Sequence, residues 1–367
     1  MRRSILVSAM VIGSFLFAPP AHAQQAGDKV VVISDEVEVK VGSEVIDTIG
    51  RGKVVVVREV KGEQIGIDSK QGTAFIQKRH VIPLSQAVGH WSGVIRTKPR
   101  DFAGYLGRGL TYFALQDNDK AIADYNEAVR LDPKQAAAYL NRGNALAAKG
   151  DNDKALADFN AVIRLDPKLA VAYYNRGNVW GTKGDNDKAI ADYNEAIRLD
   201  PQYAAAYLNR GNLQGRSDSN KQIADYGEAI RLDPKFALAY YSRGMAWDNQ
   251  GVYAKAIADY NEAVQCNPKL AAAYNNRAWI WATCPDARYR DGKQAVESAT
   301  RLCELESWND PSNLDTLSAA YAEAGDFKSA VKWQSKAVEL APASDKADLQ
   351  SRVDLYRSGK PYREKPK

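Results

Sequence analysis

The sequence predicts a mainly α protein: an α-solenoid of about seven helix hairpins behind a small β-barrel. Three observations predict it. The cluster Asn-Arg-Gly-Asn recurs at 141–144, 175–178 and 209–212, 34 residues apart, with looser copies at Gly107-Arg108-Gly109-Leu110, Ser242-Arg243-Gly244-Met245 and Asn276-Arg277-Ala278-Trp279. Pro99, Pro133, Pro167, Pro201, Pro234 and Pro268 keep the same step, with a single interval of 33. A fixed period of this length marks a repeat array. Residues 27–84 follow another grammar: short runs rich in Val, Ile and Thr, broken by glycines, which read as about five antiparallel strands.

The chain has 367 residues, too long for one ordinary core but natural for a repeat array plus a small domain. Residues 1–23 read as a secretory signal: basic Met1-Arg2-Arg3, an apolar run from Ile5 to Ala18, and small residues at Ala21 and Ala23. Cleavage after Ala23 predicts a periplasmic or secreted bacterial protein with no transmembrane segment left in the mature chain. The formal charge is +5, and removing Arg2 and Arg3 leaves +3. So small a charge on so long a chain argues against nucleic acid as a partner.

Three cysteines, Cys266, Cys284 and Cys303, leave one unpaired whatever happens. Cys284 and Cys303 fall ~15 Å apart by the rise of the intervening helix. Cys266 and Cys303 end successive outer helices and make the better pair, with buried free thiols as the simpler outcome.

Each repeat holds two helices. In residues 172–201, Tyr173, Gly177 and Trp180 share one stripe, and Ala189, Ile190, Tyr193, Ile197 and Leu199 form the second. Gly184 is placed to end the first helix and Asp187 to cap the second. Asp200-Pro201 stops the second helix. Residues 85–98 read as a lone connecting helix, the half repeat that joins barrel to array. Seven repeats follow over 99–342, the sixth carrying about five extra residues between its helices. Residues 343–358 read as a polar capping helix, and a basic tail completes the chain to 367.

This pattern resembles the tetratricopeptide repeat. The repeat's large residue falls on Tyr139, Tyr173, Tyr207, Tyr240 and Tyr274, and its close-packing glycine on Gly109, Gly143, Gly177, Gly211 and Gly244. Its small residue falls on Ala121, Ala155, Ala189 and Ala256, with Gln222 an odd substitute. Its second-helix aromatic falls on Tyr125, Phe159, Tyr193, Tyr226 and Tyr260. The resemblance implies a right-handed α-solenoid with first helices on the concave side. Residues 27–84 resemble the bacterial SH3-like domain, some of whose members bind cell-wall peptides. Here the middle strand reads Gln64-Ile65-Gly66-Ile67 without an aromatic, and Phe75 reads as core.

The two asparagines of each cluster lie three apart, on one helix face. Asn141, Asn175, Asn209 and Asn276, with Asn144, Asn178 and Asn212 beside them, therefore form rows along the concave side that the resemblance implies. Amides that both donate and accept suit the backbone of an extended peptide. Tyr174 and Tyr241 add aromatic surface to this groove. A carboxylate clamp on a partner's chain end needs a cation in the groove, and only Arg216 fits. The recurrent arginines (Arg142, Arg176, Arg210, Arg243, Arg277) stand where the repeat usually has leucine. Asp124, Asp158, Asp192, Asp225 and Asp259 recur in step, which predicts a structural Arg–Asp column.

No catalytic constellation appears. His80 and His90 lie outside the repeats, and there is no metal-ligand cluster, phosphate-cradling glycine loop or nucleophile elbow. The expected function is a non-enzymatic scaffold, without cofactor or metal, for a protein or peptide segment. The alternative is a cell-envelope attachment protein whose SH3-like domain grips cell-wall peptide while the repeats act as a spacer.

Overall fold

The computed structural model describes residues 27–366, apart from 35, 42–43, 52, 70–71 and 215–218. Residues 1–23, where a signal segment is expected, and Arg216 lie outside the described residues. The described chain is mainly helical, a series of helix hairpins preceded by a small β domain. It divides into two compact units, residues 1–192 and 193–367.

The first unit opens with eight strands: β1 (Lys29–Val32), β2 (Glu36–Val41), β3 (Glu44–Gly50), β4 (Val54–Val56), β5 (Glu59–Lys61), β6 (Gln64–Ser69), β7 (Gly72–Gln77) and β8 (Val81–Pro83). They form two antiparallel sheets, ordered β4-β1-β8 and β3-β2-β7-β6-β5. Among the described residues no ladder closes them into the expected barrel. The chain changes sheet at Val57 and Arg58, whose amides donate to the Asp28 and Gly66 carbonyls. Val30 and Val32 of the smaller sheet and Val37, Val39, Ile65 and Ile76 of the larger share one apolar core. Strand alternation corrects the expectation for Phe75. Ala74 and Ile76 are buried, whereas Phe75 stays half-buried, its ring 4.8 Å below the Lys61 ammonium.

β8 runs directly into α1 (Leu84–Thr97). Trp91 is fully buried, and it packs with Val31, Ile82 and Ala87 to fasten the helix to the sheet. The hairpins follow: α2 (Phe102–Ala114) with α3 (Asn118–Leu131), α4 (Ala136–Ala148) with α5 (Asn152–Leu165), and α6 (Ala170–Thr182) with α7 (Asn186–Leu199), in which the first unit ends. Glycine lets these helices approach. A Cβ on Gly107 would stand 2.7 Å from the Trp91 ring, and one on Gly109 or Gly143 would stand 2.5 or 2.8 Å from Tyr125 or Phe159.

The turns follow one scheme. Gly150 and Gly184 take φ of +83° and +81°, and the next amide donates back to the carbonyl of Leu146 or Trp180. These are left-handed helix stops of the Schellman kind. The expected cap on α7 moves by two residues. Asp185, directly after the left-handed glycine, accepts the Lys188 amide at 3.3 Å, and Asp187 falls inside the first turn. The aspartates before Pro133 and Pro167 close turns of their own: Asp132 and Asp166 accept the amides of Lys134 and Lys168 at 3.0 Å.

At the first such turn Gln116 takes the glycine position with φ +64°. A side chain there is strained by ~1–2 kcal/mol, partly offset because glycine costs more unfolded-state entropy. Gln116→Gly is expected to raise unfolding stability by about 0.5–1 kcal/mol, measured by urea denaturation.

The second unit holds α8 (Ala204–Gln214) with α9 (Ser219–Leu232), α10 (Ala237–Asn249) with α11 (Tyr253–Cys266), α12 (Ala271–Thr283) with α13 (Gly292–Leu305), and α14 (Pro311–Glu323) with α15 (Phe327–Leu340), closed by α16 (Lys346–Arg357). A short 3-10 turn at Ala287–Tyr289 lies between α12 and α13. In the last hairpin Ser318 and Gln334 replace the glycine and aromatic of the first five copies. They hydrogen-bond, and Gln334 also donates to Asp315 at 2.8 Å.

All three cysteines are free. The Cys266–Cys303 pair does not form, since the thiols face the Pro234 and Asn313 carbonyls. Burial pushes the Cys303 thiol up to about 11, far from a reactive thiolate. Among the described residues no helix is long and apolar enough to cross a membrane.

Candidate functional site

The recurrent arginine is the best-defined element of each hairpin. Arg142 Nε and Nη2 grip both oxygens of Asp158, at 2.8 and 2.6 Å. The same fork joins Arg108 to Asp124, Arg176 to Asp192, Arg210 to Asp225 and Arg243 to Asp259. These bonds raise the guanidinium pKa of all five arginines above its already high value. The expected Arg–Asp column is therefore a structural feature of the hairpins. The aspartates are buried.

A third partner was missed. Nη1 of Arg142, Arg176, Arg210 and Arg277 donates to Asn126, Asn160, Asn194 and Asn261, each on the second helix of the preceding hairpin. The tyrosine three residues before each arginine lies under its guanidinium, 5.4 Å away for Tyr139 and Arg142. These four arginines thus staple their own hairpins and reach the one before. Arg108 reaches Ser92 of α1 at 3.2 Å instead, and Arg243 faces Gly227, which offers no amide side chain. The signal was in the sequence, because an asparagine follows the buried aromatic in Tyr125-Asn126, Phe159-Asn160, Tyr193-Asn194 and Tyr260-Asn261.

The sixth hairpin departs from this. Where the first five copies have aspartate, Arg277 meets the Ser298 hydroxyl, at 3.2 and 3.3 Å. Desolvation by burial lowers its pKa. Ser298→Asp is expected to restore the fork and stabilise the protein by about 1 kcal/mol, a typical return for a charge-assisted bond. Arg277→Leu/Ser298→Asp, which leaves the new carboxylate unpaired, would lose that gain in the same thermal melt.

The predicted asparagines are partly occupied. In the first unit Asn175 Nδ2 donates to Asn144 Oδ1 at 2.8 Å, joining neighbouring hairpins, and Asn141 donates to its own helix at Ala137 O. Asn178 and Tyr174 are half-buried. In the second unit Asn212 accepts the Tyr226 hydroxyl at 2.8 Å, and Asn276 donates to the Tyr260 oxygen at 3.3 Å. Burial raises the Tyr226 phenol to about 12 and also pushes up Tyr241. Tyr241 packs beside Tyr260, ring centroids 6.0 Å apart. Asn209 is half-buried.

A cleft of about 490 Å³ opens in the second unit between α10, α12, α14 and α16. Asn275, Asn276, Trp279, Asp315, Thr316 and Asp348 are among the residues that line it. Of these only Asn276 was singled out from the sequence. Asn275 stands in the row of Tyr174 and Tyr241, and it accepts the Thr316 hydroxyl at 2.7 Å. Arg352 pairs with Asp315 and with Asp348 across one wall.

Recurrent hairpins, inter-hairpin staples and a polar cleft define a helical-repeat scaffold. Comparison with known families makes this specific. A model described as TPR repeat matches residues 109–150, 143–181 and 182–218, and models described as tetratricopeptide repeat match 223–281 and 313–344. The hairpins are tetratricopeptide repeats, which serve in general as non-catalytic scaffolds for protein–protein contact.

A crystal structure of the APC/C hetero-tetramer Cut9-Hcn1 shares the fold at TM-score 0.54 and 16% identity, over 65% of this chain and 46% of that one. MamA matches at 27% identity and TM-score 0.40, over 44% of this chain and 96% of its own. YrrB, described as a TPR protein with an unusual peptide-binding site, matches at 20% and 0.42, over 52% and 99%. Comparison with curated proteins finds no match.

Proposed function

We propose that the protein is an exported scaffold that holds an extended segment of a partner protein along the first helices of its hairpins. Residues 1–23 would direct it to the periplasm or the medium. The observation that carries the binding site is the cleft walled by Asn275, Asn276, Trp279 and Thr316. Its volume falls in the range of ~300–1,000 Å³ usual for ligand clefts. Its amides are partly used within the cleft: Asn276 donates to Tyr260 and accepts from Asn275 at 3.4 Å, and Asn275 accepts the Thr316 hydroxyl, but each amide oxygen has a second lone pair to offer a peptide N–H.

The test is a peptide array probed with the full chain and with Asn275→Ala/Asn276→Ala and Asn141→Ala/Asn175→Ala. Variants whose Tm stays within about 2 °C of the parent are expected to lose most retained peptides. Undiminished retention by both would overturn the proposal.

A further inference from the structure

The basic tail packs back onto the repeats. α16 ends in a left-handed stop at Gly359, φ +73°, with the Lys360 amide donating to Leu355 O at 3.2 Å. Pro361 bars further helix, and the next three residues each meet a separate contact.

The Tyr362 ring enters a cluster with Tyr321, Phe327, Leu355 and the fully buried Tyr356. The Tyr362 ring also meets that of Trp279, centroids 5.9 Å apart, and the Arg352 guanidinium lies against both, 4.6 Å from the Tyr362 ring centre and 5.6 Å from that of Trp279. Arg363 pairs with Glu323 and donates to Ala282 O at 3.1 Å. Glu364 accepts the Trp279 indole N–H at 2.7 Å, and its own amide donates to Thr283 O at 2.9 Å. Ala282 and Thr283 are the last residues of α12, whose carbonyls have no helical donor of their own.

We propose that α12, α14 and α16 form a recognition site for an aromatic–arginine–glutamate segment, and that residues 362–364 are its resident occupant in cis. Every element that defines a peptide site is engaged. A ring enters a pocket, the half-buried Glu323 carboxylate, which also holds Arg290, takes the arginine, an indole takes the glutamate, and two carbonyls take the backbone and guanidinium. A tether of a few residues holds the tail at an effective concentration in the millimolar range. A partner segment of the same chemistry must displace it, and displacement frees the indole of Trp279, which also walls the cleft. This inference does not rest on the asparagine rows.

The test uses the full chain and its Tyr362→Ala/Arg363→Ala/Glu364→Ala variant. The probe is a fluorescein-labelled peptide of residues 360–366, Lys-Pro-Tyr-Arg-Glu-Lys-Pro, read by anisotropy beside its scrambled form. The variant is expected to bind the peptide at least about tenfold more tightly than the parent chain. Adding Trp279→Phe should remove that gain, and the scrambled peptide should not bind. Equal affinity for parent and variant, or for native and scrambled peptides, overturns the proposal.

Amide exchange at Glu364 reads the same contact without relying on the triple variant. Trp279→Phe in the otherwise unchanged chain should speed it about tenfold. An unchanged rate also overturns the proposal. Either failure leaves the array result for Asn275 and Asn276 unaffected.

Discussion

Asp158→Ala is expected to lower unfolding stability by about 3 kcal/mol, the low end of the range for breaking a buried charge pair. Asp158 is buried, and it takes both arms of the Arg142 fork. The substitution strands a guanidinium that keeps its bond to Asn126 but loses its counter-charge. The low end applies because the Arg142 side chain is 20% exposed and partly hydrated. Arg142→Leu/Asp158→Ala should be less damaging than the single change, since no unpaired charge remains. The coupling between the sites is expected at about 2 kcal/mol. Urea denaturation of the single and double variants, followed by helical circular dichroism, measures it. Additive losses would show that the column contributes packing alone.

Gly109→Val is expected to cost about 3 kcal/mol, at the upper end for overpacking. A Cβ at this position falls 2.5 Å from a Tyr125 ring carbon, and the ring is fully buried. The helices must separate or the ring must leave its pocket. Gly93→Ala on α1 should do the opposite and stabilise by about 0.5–1 kcal/mol, because nothing lies within 4 Å of its Cβ and alanine favours helix. Opposite signs for two glycines in adjoining helices, read from urea midpoints, would confirm that packing decides. Losses at both sites would point to a general intolerance instead.

The array was legible because its signals repeat. Period, glycine, buried aromatic and Arg–Asp pairing each recur at one spacing, so chance matches cancel and true ones accumulate. Capping was legible only to within a turn, since Asp185 and Asp187 are both plausible caps and only the backbone at Gly184 selects the first. Phe75 was misplaced because a lone aromatic gives no phase. The flanking Ala74 and Ile76 carried the alternation.

The asparagine rows were found, but their bonds were not. Asn144 and Asn175 meet across neighbouring hairpins, a geometry that no intra-helix spacing reveals. The cleft and the tail contacts were hidden for a similar reason. They join residues more than thirty positions apart and occur once, as in Trp279 with Glu364 and Arg352 with Asp315.

The arginine staple has a bearing on how such a chain lengthens. Its three parts stand at a residue, sixteen before it and sixteen after it, as in Asn126, Arg142 and Asp158. Duplication or excision of one whole period among the copies of Arg142, Arg176 and Arg210 therefore delivers each guanidinium to a fresh pair of partners. The copy with Arg210 and Asp225 drops one residue between them and still closes the fork. Recombination among those copies leaves the staple whole at the joint, so array length is open to selection there, whereas the seams at Arg243 and Arg277 each lack one partner.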